Sequence, residues 1–73
     1  MSSNGFSSRR LGEIIRKHRE LRNLTQEKVS SLSRVDRTYI ARIESGKANP
    51  TLNILYRISK IFNLSLSEFF KEF

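Results

Sequence analysis

Apolar residues recur at Leu11, Ile14, Ile15 and Leu21, with His18 on the same stripe and Arg and Lys on the other faces. Steps of three and four residues gather such a stripe on one helical face, so the pattern predicts a helix over 9–22. Ser7 or Ser8 can cap its start, and Asn23 suits the left-handed residue that ends it. Thr25 is the cap of a short second helix over 26–32, and a break follows at Ser33-Arg34-Val35. Asp36 opens a third helix over 37–45, with Ile40 and Ile43 inward and Gly46 as the terminator. Pro50 precedes another cap, Thr51, and a fourth helix over 52–62 carrying Leu52, Leu55, Ile58, Ile61 and Phe62. Asn63 repeats the left-handed stop. Ser65 and Glu68 have capping-box spacing and open a last helix bearing Leu66, Phe69, Phe70 and Phe73. Nothing alternates with period two for long enough to argue a strand. The expected class is all-α: a compact five-helix bundle with tight turns.

The Ser-, Asn- and Gly-containing stretch 1–8 reads as a flexible N-terminal tail, leaving 9–73 as one domain. A chain of 73 residues buries a modest share of its surface, so it depends on good helix packing or on a second subunit. With no cysteine there is neither a disulfide nor a thiolate zinc site, and one histidine, His18, makes no metal site. His18 itself reads as a boundary residue with its ring edge in water. No signal peptide or membrane-length apolar run is present, so a soluble cytoplasmic protein is expected.

Charge adds the first functional information. Fourteen Lys and Arg against seven Asp and Glu give a formal net charge of +7. That excess suits a polyanion: nucleic acid first, an anionic membrane second. A membrane-surface protein needs one long helix with a basic face opposite a broad apolar face, whereas capped breaks divide this chain. RNA recognition favours exposed aromatics among basic residues, and only Tyr39 fits. No His–carboxylate–nucleophile set, glycine-rich phosphate loop or metal-ligand spacing appears, so neither an enzyme nor a small-molecule substrate or cofactor is expected.

The second and third helices, with about three residues between them, form a helix-turn-helix candidate. The run from Leu24 to Leu52, LTQEKVSSLSRVDRTYIARIESGKANPTL, resembles the DNA-binding domain of phage repressor and Cro proteins, the Xre family. The likeness extends from Leu11 to Phe70. Val35-Asp36-Arg37-Thr38-Tyr39-Ile40 followed by Asn49-Pro50-Thr51 looks most like the restriction–modification controller proteins. It implies a lambda-repressor-like five-helix fold and a bacterial or phage-type regulator associated with the nucleoid.

A helix fits the major groove, where residues of its first turns meet base edges. Burying Ile40 and Ile43 turns Arg37, Thr38, Ala41 and Arg42 outward, making these the expected base-contacting residues. Arg37 can pair with guanine N7 and O6; Thr38 offers a hydroxyl or a methyl; Arg42 reaches a second base or a phosphate; Ala41 keeps the surface low. Asp36 reads mainly as an N-cap, with acceptance from a cytosine amino group as the rival. Gln26, in the first turn of the second helix, is placed for a phosphate. The resemblance implies backbone contacts for Gln26 and for Ser45, Lys47 and Asn49 after the third helix. It places Tyr39 near the operator centre, the other reading being partial burial against the neighbouring helix. It also implies a brace between Arg19 and Glu44 that orients the reading helix.

Leu66, Phe69, Phe70 and Phe73 are many apolar residues for one short helix, and those not used in the core form an interface. A two-fold homodimer is the expected arrangement, with reading helices about 34 Å apart on a pseudo-palindromic double-stranded DNA operator and RNA polymerase as a further partner. The rival is an antitoxin or adaptor that keeps the fold but binds protein. Two departures from the family pattern stand out. Arg34 sits where glycine is common, which predicts a strained or differently shaped turn. Ser30 and Ser33 stand where alanine and an aliphatic residue are usual, which makes the inner face of the motif more polar.

Overall fold

The computed structural model describes residues 7–73, and the greater part of the proposed N-terminal tail lies outside them. Five helices follow in order: α1 (Ser8–Leu21), α2 (Gln26–Ser33), α3 (Arg37–Glu44), α4 (Leu52–Ile61) and α5 (Leu66–Phe70). Among the described residues there is no strand.

Side-chain caps set four of the five starts. The hydroxyls of Ser7, Thr25, Thr51 and Ser65 accept from the amides of Arg10, Lys28, Ile54 and Glu68. At α5 the box is complete, because the Glu68 carboxylate accepts from the Ser65 amide at 2.9 Å. Those bonds hold the Glu68 carboxyl below the usual carboxylate range. Asp36 is the exception. It holds the N-cap position of α3, but its side chain makes no cap hydrogen bond. At φ −55° and ψ 137° the chain enters the helix with the carboxylate clear of the first-turn amides. Asn23 and Asn63 close α1 and α4 at φ 55° and 61°, and Gly46 follows α3 at φ 77°.

One core joins the helices. Leu11, Ile14 and Ile15 of α1, Val29 of α2, Ile40 and Ile43 of α3, and Leu55, Ile58, Phe62 and Phe69 further on are all buried. Gly12 lets α1 approach α3 closely: a Cβ there would lie 2.4 Å from the Ile43 carbonyl oxygen and 2.6 Å from that of Glu44. Two apolar stripe positions face outward instead, Leu21 at 68% and Leu52 at 62% exposed. Each lies at a helix end, where the neighbouring elements no longer cover it.

His18 corrects the boundary reading, being only 8% exposed. Its ring stacks on Phe62 at 5.6 Å and lies near Phe69. Arg22 Nη1 donates to His18 Nδ1 at 3.1 Å. A guanidinium has no acceptor, so Nδ1 accepts and the Nε2–H faces the Glu72 carboxylate. Lys17 donates to the same carboxylate at 2.5 Å, and Arg10 to the Glu72 backbone carbonyl at 3.0 Å. The end of the chain is thereby tied to α1. The Lys17 hydrogen bond, and after it that of His18, hold the Glu72 carboxyl below its usual range despite partial burial.

Candidate nucleic-acid interface

Packing fixes which side of α3 faces out. With Ile40 and Ile43 buried, Arg37, Thr38 and Arg42 are exposed and Ala41 is half-buried between them. Ser45, Lys47 and Asn49 lie exposed just beyond the helix. The outer surface of α3 therefore gathers Arg37, Thr38, Ala41 and Arg42, with the loop residues at one end. Tyr39 is half-buried and packs against the core, and with Asp36, Ile54 and Arg57 it lines a groove beside the turn.

Arg19 and Glu44 meet in a two-bonded fork: Nε to Oε2 at 2.7 Å and Nη2 to Oε1 at 3.0 Å. Their side chains are only 13% and 4% exposed. Arg19 Nη1 also donates to the Leu24 carbonyl at 2.8 Å, so the fork ties α1, the α1–α2 turn and the end of α3 together. The hydrogen bond to Glu44 raises the Arg19 pKa further, outweighing burial. Gln26 joins this group, its side-chain amide donating to Glu44 Oε1 at 3.1 Å. In the free protein its amide thus lies beside the brace, at the start of α2.

Arg42 is likewise engaged, with Nη2 donating to the Lys47 carbonyl at 2.8 Å. Ser45 Oγ donates to the Arg42 carbonyl at 3.1 Å. Both bonds shape the loop after α3 and leave Arg37 and Thr38 as the residues of the outer face with no side-chain hydrogen bond among the described residues. The Asp36 carboxylate, without a cap bond, stands exposed beside them.

The aromatic C-terminus divides. Phe69 is fully buried, which removes it from the expected interface set, because the bundle needs it to close over His18 and Phe62. Leu66 is half-buried against the core. Phe70 and Phe73 are 36% and 45% exposed, with ring centroids 5.5 Å apart. Leu52 and Phe70 line one shallow cleft with Asn49 and Pro50, so the exposed start of α4 continues the aromatic surface.

Periodicity and capping did not point to Arg57, Arg22 or Glu72. Their longest-range bonds go to backbone carbonyls or to side chains distant in sequence, which leave no spacing signal. Arg57 donates to the Ser33 and Arg34 carbonyls at 3.1 and 2.9 Å, and Arg22 to the Phe62 carbonyl at 2.9 Å. The two turn serines are also placed by such bonds: Ser33 Oγ donates to the Val29 carbonyl at 2.7 Å, and Ser30 Oγ to that of Val35 at 2.5 Å. The polar inner face of the motif is therefore satisfied. Arg34 adopts the left-handed conformation that a glycine would take more easily.

Two short helices joined by a left-handed turn, the second with a basic outer face, define a helix-turn-helix DNA-binding domain. Residues 15–69 match the helix-turn-helix family, and the chain belongs to it. It is 37% identical over 73 residues to the HTH-type transcriptional regulator PuuR of Escherichia coli (strain K12), across 99% of this chain. The chain spans 37% of that regulator's length. It is also 38% identical over 56 residues to the control protein C.SmaI of Serratia marcescens, covering 77% of this chain and 67% of that one. Among solved structures, the wild-type restriction-modification controller protein C.Esp1396I aligns with a TM-score of 0.83 and 34% identity, over 93% of this chain and 87% of that one. A tetramer of that controller has been solved in complex with its natural 35 base-pair operator. Among the described residues, no helix is long and apolar enough to cross a membrane.

Proposed function

We propose that the chain is a sequence-specific transcriptional regulator that binds a pseudo-palindromic operator as a homodimer and controls restriction–modification genes. The observation that carries this reading is the exposed α3 face, where Arg37 and Thr38 make no side-chain hydrogen bond among the described residues, on a helix whose far end is locked by the Arg19–Glu44 fork. A helix so presented can enter the major groove with its first turn at the base edges. Arg37, Thr38, Ala41 and Arg42 meet bases, Arg42 by exchanging its bond to the loop for one to DNA. Gln26, Tyr39, Ser45, Lys47 and Asn49 meet the phosphate backbone and set register. Phe70 and Phe73, extended by Leu66 and the start of α4, pair two copies across a two-fold axis.

Residues 9–73 act in this reading as one DNA-binding unit in the cytoplasm, without catalysis, and an activated promoter adds RNA polymerase as partner. Two similarities support the assignment to restriction–modification control, those to C.SmaI and C.Esp1396I. Selection of bound duplexes from random DNA tests the reading. Recovery of two inverted half-sites about one helical turn apart is expected. Recovery of unrelated sequences, with capture of a protein partner instead, points to an adaptor or antitoxin and overturns it.

A further inference from the structure

The turn between α2 and α3 holds a residue ill suited to it. Arg34 sits at φ 61° and ψ 33°, where a Cβ crowds the following carbonyl and glycine is the unstrained choice. Only Arg34 and Val35 separate the last residue of α2 from the N-cap of α3, so a rotation at Arg34 swings the start of the reading helix. That start carries Arg37 and Thr38. The Asp36 side chain, which makes no cap bond, does not fix it.

What holds the turn comes from elsewhere. Arg57, in the middle of α4, donates from Nε to the Ser33 carbonyl at 3.1 Å and from Nη2 to the Arg34 carbonyl at 2.9 Å. Among the described residues no backbone N–H reaches either oxygen. The two carbonyls lie at the negative end of α2, where a cation is favoured. A planar fork suits two successive carbonyls, and a lysine ammonium cannot hold both in the same plane. Ser30 Oγ takes the third carbonyl, that of Val35, at 2.5 Å. Three consecutive carbonyls of the turn are thus held by side chains, two of them by one arginine.

We propose that Arg57 is a positioning residue for DNA reading: its guanidinium holds Arg34 in the left-handed conformation and so sets the near end of α3, as the Arg19–Glu44 fork sets the far end. The inference rests on the operator reading above, and it assigns to α4 a part in sequence discrimination without contact to a base.

The test is a double-mutant cycle between Arg57→Ala and Arg34→Gly in the full chain, with Arg57→Lys as the charge-preserving control. Two readouts are taken well below the unfolding midpoint of every variant. One is affinity for the duplex selected by the wild-type chain and for a scrambled duplex of equal length, at several salt concentrations. The other is urea unfolding of the free protein. Arg57→Ala is expected to lose about tenfold on the selected duplex, about 1.4 kcal/mol, and little on the scrambled one, with an unchanged salt slope. Arg57→Lys should lose nearly as much. With glycine at position 34 the loss should shrink to under about threefold, and the unfolding cycle should show coupling of the same sign.

Equal losses on both duplexes with a shallower salt slope make Arg57 a phosphate contact and overturn the proposal. A loss undiminished by Arg34→Gly overturns it as well. A wild-type chain that selects no site at all refutes the operator reading, and with it the discrimination role, whatever the unfolding cycle shows. Selection by the wild type with no coupling in either readout removes the Arg57 inference alone.

Discussion

The two ends of α3 and the C-terminal end of the bundle are both held by long charged side chains, but in different surroundings. At α3 the Arg19–Glu44 fork is nearly closed to water, with the two side chains 13% and 4% exposed. At the C-terminus Lys17 is 55% exposed and Glu72 24%, so water competes for their pair. Desolvated pairs are costly to break from one side, whereas wet ones contribute little. The drier pair thus braces the C-terminal end of the helix that presents Arg37 and Thr38. Alongside the buried His18 contact, the wetter pair tethers the segment that carries the exposed rings of Phe70 and Phe73.

Phe69→Ala, deleting a fully buried ring, should cost about 3–5 kcal/mol in urea unfolding. Phe70→Ala one position along should cost far less in the monomer and act instead on the monomer–dimer equilibrium, measured by sedimentation. Equal stability losses for the two would erase the division between the core ring and the exposed aromatic surface. Glu44→Ala strands the Arg19 guanidinium in a largely closed site and should destabilise by about 3 kcal/mol. A change of a few tenths would mean that the fork is dispensable.

The smallest effect is expected in acid. Glu72 and Glu68 have folded-state pKa values below the usual carboxylate range. Each therefore adds stability above that range, and the contribution is lost as pH falls through the lowered values. Amide exchange in α5 should accelerate in that acid window before α3 is affected, and Glu72→Gln should remove part of the dependence. An α5 that frays at the same pH in Glu72→Gln and wild type would show that Glu68 alone carries it.

Much of the architecture was legible because local signals marked its boundaries. Thr25, Thr51 and Ser65 announce helices that start where expected, and the left-handed Asn23 and Asn63 mark the ends of α1 and α4. Asp36 has the same residue-type signal and a different outcome, since the cap bond depends on an entry geometry that residue identity does not encode. Gly12 was silent for another reason: its value lies in leaving no Cβ to clash with the Ile43 carbonyl, a relation between helices distant in sequence. The same holds for Arg57, whose partners lie 24 and 23 residues away. The outward side of α3 followed from periodicity alone, yet the tie from Arg42 to the loop carbonyl did not, because a long flexible side chain selects its partner only in three dimensions.

The central claim is that α3 reads bases through its exposed first turn while the loop after it binds phosphate. Paired titrations of Arg37→Ala and Lys47→Ala on the selected operator and a scrambled duplex test it most directly. Arg37→Ala should reduce discrimination by about 1–3 kcal/mol at one base pair, and Lys47→Ala should weaken both duplexes alike with a salt slope smaller by about 0.9. Equal losses on the two duplexes for Arg37→Ala would contradict the account.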